Sequence, residues 1–308
     1  MITSDDEYAK DDGVPESQPV PWSVFLTEAT QRLTTAGFEN PVIDARRIVE
    51  RASGFEGSEF QSGLEEAATE KAVRHFDDMI QRRLSQEPLQ YVCGVWGFRS
   101  LDLMVDQRVL IPRPETETVA GIAIEELENR LVGERKLVAD LGTGSGAIGL
   151  SIATETANTE IVLTDISSGA LQVARANLAG LGSLGTRVTI RQGSWFEALP
   201  DEYRGSFSLI VSNPPYISSD EEVALPADVK QWEPHQALVS GRTGTEFLEI
   251  IVDGAGEWLH QSGSLVLEMA PHQTSEISDR MRERGYTEVQ IFNDLAGRRR
   301  GVSGIWNS

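Results

Sequence analysis

The sequence is short of cysteine, histidine and positive charge, and it has no long apolar run. Its one cysteine, Cys93, can form neither an intrachain disulfide nor a multi-cysteine metal knuckle, which fits a reducing compartment. The four histidines, His75, His235, His260 and His272, include no i,i+4 pair and no neighbouring cysteine, so no metal site is expected. No stretch approaches the roughly 18 uninterrupted apolar residues of a membrane span. The opening MITSDDEYAKDDG has neither the basic start nor the apolar run of a secretory signal. A cytoplasmic protein with no membrane association is expected. Lys and Arg total 27 against 48 Asp and Glu, a net charge of −21 that repels phosphate backbones, so stable nucleic-acid binding would need a local basic patch. The one dense basic run, Arg298 to Arg300, reads as a solvated loop.

What is present is an ordinary globular composition, 40% hydrophobic and 24% charged over 308 residues, enough for two compact domains. Residues 1–20 are rich in Asp, Glu, Ser and Pro and bury too little to offset chain entropy, so an acidic disordered tail is expected there. A helical N-terminal domain is expected over 21–88. Trp22, Phe25, Leu26, Ala29 and Leu33 recur at helical spacing up to Gly37. Asn40 caps a second helix that opens on Pro41 and ends at Gly54, and Ala72, Phe76, Ile80 and Leu84 mark a third. Residues 89–112 turn to aromatic and β-branched types with glycines (YVCGVWGF, then LDLMV), which predicts a β-hairpin linker rather than more helix. Residues 113–308 form the expected third region. Apolar runs at 137–140, 161–164, 187–191, 207–211, 264–268 and 286–292 alternate there with helix-length amphipathic segments, the pattern of a mostly parallel α/β sheet covered on both faces. The closing GVSGIWN reads as an added edge strand.

Two motifs carry the chemistry. Asp140-Leu141-Gly142-Thr143-Gly144-Ser145-Gly146 follows an apolar run and precedes a helix, where glycines let backbone approach a ligand closely. The next strand ends at Asp165, at the interval from Gly142 where a carboxylate can accept ribose hydroxyls of the same bound nucleoside. The loop alone is weakly specific, since Gly142, Gly144 and Ala147 also fit the dinucleotide-binding pattern. If the ligand is S-adenosylmethionine, the glycines make room for its methionine part and Asp140 stands near a cation.

The second motif, Asn213-Pro214-Pro215-Tyr216, ends the buried run Phe207 to Ser212. Two prolines cannot extend a central strand, so the chain leaves the sheet with a stiffened backbone at the carboxyl edge, where open α/β sheets bind ligands. Such stiffness has a use. A conjugated NH2 is a poor nucleophile because its lone pair is delocalised. The Asn213 side-chain oxygen and the Pro214 carbonyl can together hold both N–H bonds and turn that lone pair toward an electrophilic methyl group. Tyr216 can lie against the planar group. The same residues would also serve as a plain proline turn with Tyr216 as packing.

The set DLGTGSGAIGL, TDIS, GSWF and SNPPYI resembles the Class I seven-stranded, Rossmann-like S-adenosylmethionine-dependent methyltransferases that modify a planar nitrogen. The stretch VLIPRPETE, preceded by RRLSQEPLQYVCGVWGF, resembles the HemK/PrmC family of protein-(glutamine-N5) methyltransferases from about residue 22 to the carboxyl end. The resemblance implies methyl transfer from S-adenosyl-L-methionine to the glutamine of the Gly-Gly-Gln motif in peptide chain release factors, with S-adenosyl-L-homocysteine as product and a part in translation termination. It implies that the helical domain recognises the substrate. Residue by residue it makes Gly142, Thr143, Gly144, Ser145 and Gly146 the cofactor loop, Asp165 the ribose ligand and Trp195 part of the adenine pocket. Asn213, Pro214, Pro215 and Tyr216 become the amide clamp, with Asn213 also beside the cofactor and Asn213, Pro214 and Tyr216 catalytic. Glu233-Pro234 with Ala237-Leu238 falls near the acceptor channel, and Glu268 is an inward-pointing candidate on the fifth strand of the sheet. Ser194 departs from the acidic residue frequent before the aromatic of GSWF.

Other readings bear on the same residues. An adenine-N6 DNA methyltransferase shares the Asn-Pro-Pro-Tyr logic but needs a basic cleft and a target-reading region. A nicotinamide oxidoreductase fits the glycines and leaves 213–216 unexplained, and a non-catalytic binding protein leaves the clamp without purpose. Cys93 reads as a buried apolar thiol. Arg113 and Glu115 either shape the acceptor mouth or pair with each other in a loop.

Overall fold

The computed structural model describes residues 20–130 and 136–307. The expected acidic tail therefore lies outside the described residues, Val20 excepted. The chain divides into two compact units between Ser85 and Gln86.

The first unit holds α1 (Trp22–Thr35), α2 (Pro41–Ser53), α3 (Phe60–Gly63) and α4 (Glu70–Leu84). Its core forms where the apolar stripes meet: Ala29 and Leu33 of α1, Ile48 and Val49 of α2, and Phe76, Met79 and Ile80 of α4 are fully buried. Trp22, Phe25 and Phe76 pack as a tilted and edge-on trio with centroids 5.3 to 6.4 Å apart. Thr69 caps α4 by accepting from the Ala72 amide. Asn40 makes no such side-chain bond, so α2 starts on Pro41 alone, whose ring presets the helical φ. Its end does follow the sequence signal, with Gly54 in the left-handed region at φ 78°.

The second unit begins with one short helix, α5 (Leu89–Cys93), and only then the hairpin β1 (Val95–Phe98) and β2 (Leu101–Met104). The expectation of hairpin from residue 89 misses that helix. Tyr91 and Val92 are its buried residues, and the Tyr91 hydroxyl donates to the Val109 carbonyl at 2.6 Å. Cys93, at its end, is half-buried.

The remaining elements, in chain order, are α6 (Pro114–Arg130), β3 (Lys136–Leu141), α7 (Ala147–Glu155), β4 (Thr159–Asp165), α8 (Ser168–Gly180), β5 (Val188–Gln192), β6 (Phe207–Ser212), β7 (Ile217–Ser218), α9 (Ser219–Glu222), α10 (Ala227–Trp232), β8 (Val239–Gly241), α11 (Glu246–Ala255), β9 (Leu259–Glu268), α12 (Thr274–Glu283), β10 (Tyr286–Asn293) and β11 (Arg299–Trp306). Seven strands form one sheet in the order β10-β11-β9-β6-β3-β4-β5. Only β11 runs against its neighbours. Apolar residues of α6 and α7 cover one face, and those of α11 and α12 the other. This is the expected seven-stranded α/β fold.

The closing strand, however, is not at an edge. β11 lies between β9 and β10 and pairs with both, and its residues from Arg300 to Ile305 are buried. The basic run is corrected with it. Arg298 and Arg299 are exposed, but Arg300 is only 7% exposed and pairs with Glu115 at 3.3 Å and Asp294 at 3.6 Å. Two carboxylates compensate the charge that strand alternation turns inward.

Candidate active site

Strand register builds the site. Ser212 of β6, Leu141 of β3 and Thr164 of β4 lie abreast, and on the outer sides Ser212 pairs with Leu267 of β9 and Asp165 with Gln192 of β5. Each strand therefore delivers its next residue to the same carboxyl edge: Glu268, Asn213, Gly142 and Asp165 in a row, with Gly193 beyond. The strand order reverses at β3, whose neighbours β4 and β6 lead opposite ways along the sheet. That is the switch point at which open α/β sheets bind ligands.

A cavity of about 270 Å³ opens at this edge. Of the sequence-predicted residues, Gly142, Thr143, Gly144, Ser145, Asp165, Trp195, Asn213 and Pro215 line it, while Gly146, Pro214 and Tyr216 are not part of its wall. Gly142 and Gly144 have φ values of +72° and +57°, and no atom would meet a Cβ on Gly144 within 4 Å. The loop thus needs glycine for its backbone angles and leaves open space on the cavity side. Thr143 turns its hydroxyl inward to Asp140 at 2.6 Å.

Asp140 is fully buried, also accepts from the Gly149 amide at 3.0 Å, and burial pushes its carboxyl up to about 6 against these two hydrogen bonds. Asp165 accepts from the Gly144 amide through Oδ2 and from the Ser167 amide through Oδ1, each at 2.9 Å. Burial raises its carboxyl as well. Each oxygen keeps a lone pair for a further donor, as a ribose diol would require. Trp195 takes a left-handed backbone at φ 46° and packs against Phe247 with centroids 5.2 Å apart.

Asn213 donates from Nδ2 to the Thr116 hydroxyl at 3.4 Å. Tyr216 directs its hydroxyl to Glu268 Oε1 at 3.5 Å, and its carbonyl accepts from Gln273 at 2.9 Å. Glu268 is fully buried. Arg113 and Glu115 do not pair with each other. Arg113 bonds the buried Glu233 at 2.5 Å, and Glu115 pairs with Arg300. Burial raises the Glu233 carboxyl, Arg113 opposing it. This ion pair ties the segment before α6 to the one after α10, and Arg113, Pro234 and Ala237 all line the cavity.

Sequence reasoning missed Thr116, Ile166, Gln236 and Phe247 in the cavity wall, and Asn177, which accepts from the Met104 amide at 2.7 Å and donates to the Ser145 carbonyl at 2.9 Å, fastening β2 to the glycine loop. Thr116 and Gln236 lie within or beside stretches that the resemblance covers, whereas Phe247 and Asn177 sit on amphipathic helices with no local signal. Among the described residues no cluster of His, Cys, Asp and Glu could hold a metal ion, and no helix is long and apolar enough to cross a membrane.

Residues 25–94 match the family model for the PrmC N-terminal domain, and residues 117–228 that for the methyltransferase small domain. The release factor glutamine methyltransferase of Rhodopirellula baltica is 35% identical over 293 residues, covering 93% of this chain and 97% of that protein. The chain belongs to the release factor glutamine methyltransferase family. The family member of that name from Moorella thermoacetica is 38% identical, covering 89% and 95% of the two chains. A solved methyltransferase structure from Pyrococcus furiosus, 18% identical and covering 74% of this chain and 98% of that one, has a TM-score of 0.50; it bears on the fold alone. Membership in this methyltransferase family implies a methyl donor of the S-adenosylmethionine type. The open glycine loop and the lone pairs of Asp165 fit such a nucleoside.

Proposed function

We propose that this chain transfers the methyl group of S-adenosyl-L-methionine to the side-chain amide N5 of the glutamine in the Gly-Gly-Gln motif of peptide chain release factors, leaving S-adenosyl-L-homocysteine. The observation that carries this reading is that strand register brings Asn213 to the same cavity wall as Gly142 and Asp165. An amide acceptor and a nucleoside-sized cleft thus share one edge.

The donor supplies an electrophilic methyl on a sulfonium; the chain supplies position and field. Asp165 takes the ribose hydroxyls. Trp195 and Ile166, both in the cavity wall, offer apolar surface to the adenine. Gly142 to Gly146 carry the loop around the methionine part, with the Asp140 carboxylate on the side of the positive charge. Asn213 Oδ1 and the Pro214 carbonyl accept the two N–H bonds of the glutamine amide, which turns its lone pair toward the methyl carbon. No strong base is needed beforehand, because the nitrogen becomes acidic once it carries the methyl group. Pro215 fixes the carbonyl of Pro214, and Tyr216 stiffens the turn. The helical first unit is assigned to recognition of the release factor.

The test is to supply labelled S-adenosylmethionine with purified release factor and, separately, with adenine-containing DNA, then to locate the methyl group by peptide mass spectrometry. Label on the Gly-Gly-Gln glutamine and none on DNA is the expected outcome. Label on adenine alone would replace this reading with that of a DNA adenine methyltransferase.

A further inference from the structure

The Pro214 carbonyl serves as an acceptor only if the turn that carries it is held in place. Pro214 and Pro215 have no N–H, so this stretch cannot fasten itself through its own backbone donors, and its position depends on what grips its two ends. In front, the last residue of β6 holds it: the Ser212 hydroxyl donates to the Leu141 carbonyl at 2.6 Å. Behind, one peptide is held through both of its polar groups. The Tyr216 carbonyl accepts from Gln273 Nε2 at 2.9 Å, and the Ile217 amide donates to the Leu238 carbonyl at 3.0 Å.

Gln273 stands just before α12, is 1% exposed and is not part of the cavity wall. Its Oε1 accepts from the Ala270 amide at 3.1 Å. A backbone N–H can only donate and a carbonyl only accept, so these two partners fix which end of the side-chain amide faces each of them. Room for the bond to Tyr216 comes from Gly244, whose φ is +84°. A Cβ there would lie 2.6 Å from the Tyr216 carbonyl oxygen and 2.9 Å from Gln273 Nε2.

From this geometry we infer that Gln273 is a positioning residue for methyl transfer, tying the end of the Asn-Pro-Pro-Tyr turn to the segment that follows β9. With Ser212 held in front, the Tyr216–Ile217 peptide held behind and the φ angles of both prolines set by their rings, the Pro214 carbonyl has little freedom to swing away from the substrate amide. The inference rests on the methyl-transfer reading above and adds to it a residue from outside the cavity wall. Without the Gln273 donor, the Tyr216 carbonyl loses its partner, the peptide behind the turn can rotate, and the Pro214 carbonyl shifts with it.

The experiment compares Gln273→Glu and Gln273→Met with the wild-type chain. Steady-state assays on release factor give kcat and KM, and calorimetry with S-adenosyl-L-homocysteine gives its Kd and the number of competent sites. Gln273→Glu keeps an acceptor for the Ala270 amide but turns oxygen toward the Tyr216 carbonyl, so it removes the strap and spares the turn before α12. Its kcat per competent site should fall about 10- to 100-fold, the scale on which misplacement of a reacting group acts, with KM and the Kd for the nucleoside within about threefold of wild type. Gln273→Met adds no charge and should fall likewise; a loss confined to Gln273→Glu is an effect of the charge and counts against the bond. Wild-type kcat in both variants, a loss carried by KM, or a loss that vanishes when rates are divided by competent sites overturns the inference and leaves methyl transfer itself intact. Failure of both variants to bind S-adenosyl-L-homocysteine would show a bond on which the whole fold rests and would equally overturn a role specific to turnover. Absence of glutamine methylation by the wild-type chain would instead sink the underlying reading.

Discussion

At the scale of single residues, the account asks most of Asn213. In the proposed mechanism, removing its side-chain oxygen takes away one of the two acceptors for the glutamine amide, and losses of about 10²–10³-fold in kcat are typical when one such preorganised group is deleted. Asn213→Ala should therefore lose turnover on that scale while binding S-adenosyl-L-homocysteine nearly as well as the wild type. Calorimetric titration beside a turnover assay separates the two. Asp140 leads to a different expectation, one of stability. Its folded-state carboxyl is raised to about 6, above the unfolded value, so the native state prefers it protonated. The stability this gives is present below the unfolded pKa, near 4, and is lost as pH rises through 6. Asp140→Asn should thus be more stable than the wild type at pH 8, by about 1–3 kcal/mol, and no more stable at pH 4, while binding the nucleoside more weakly. Urea denaturation at the two pH values checks the sign. The residue signals legible in the sequence were those with fixed backbone consequences. Gly142 and Gly144 had to be glycine, and the double proline had to end a strand. Thr116 was not legible, because its contact is with the side chain of Asn213, about 100 residues away in sequence.

At the scale of elements, the fold depends on helices lying close against the sheet. Gly149 shows how close. A Cβ there would sit 2.2 Å from Leu163 of β4 and 3.0 Å from an oxygen of Asp140, so α7 can approach β3 and β4 only without a side chain at that turn. Gly149→Ala should cost about 1–3 kcal/mol through overpacking, read as a lower denaturation midpoint, with weakened nucleoside binding because the Asp140 anchor shifts too. The strands of the sheet were legible because buried parallel strands are continuous apolar runs, and β6 is buried at every position. What local periodicity does not encode is spatial order. Nothing in GVSGIWN distinguishes an edge strand from one inserted between β9 and β10, and the buried Arg300 had the same sequence appearance as the exposed Arg298 and Arg299. The helix α5 was hidden for a related reason: YVC is rich in strand-favouring types, yet burial of Tyr91 and its bond to Val109 hold it as a single helical turn, tertiary packing overriding propensity.

At the scale of the whole molecule, the net charge of −21 is the main physical argument against a nucleic-acid substrate. The rival adenine methyltransferase would need a positively charged cleft, and in this cavity the cations Arg108 and Arg113 are paired with Asp106 and Glu233. Duplex DNA should show no measurable retention by the chain at about 0.15 M salt, where non-specific binders of DNA reach dissociation constants of 10⁻⁴–10⁻⁶ M. Micromolar retention that weakens steeply with added salt would contradict this. The division at Ser85 leaves every cavity-lining residue in the second unit.

The central claim is geometric, and a structure of the chain with S-adenosyl-L-homocysteine and a Gly-Gly-Gln peptide tests it most directly. The account predicts the glutamine amide nitrogen within hydrogen-bonding distance, about 2.7–3.2 Å, of both Asn213 Oδ1 and the Pro214 carbonyl, facing the sulfur, with the ribose hydroxyls on Asp165. A glutamine bound elsewhere, or an amide that meets Asn213 through its Nδ2, would contradict it.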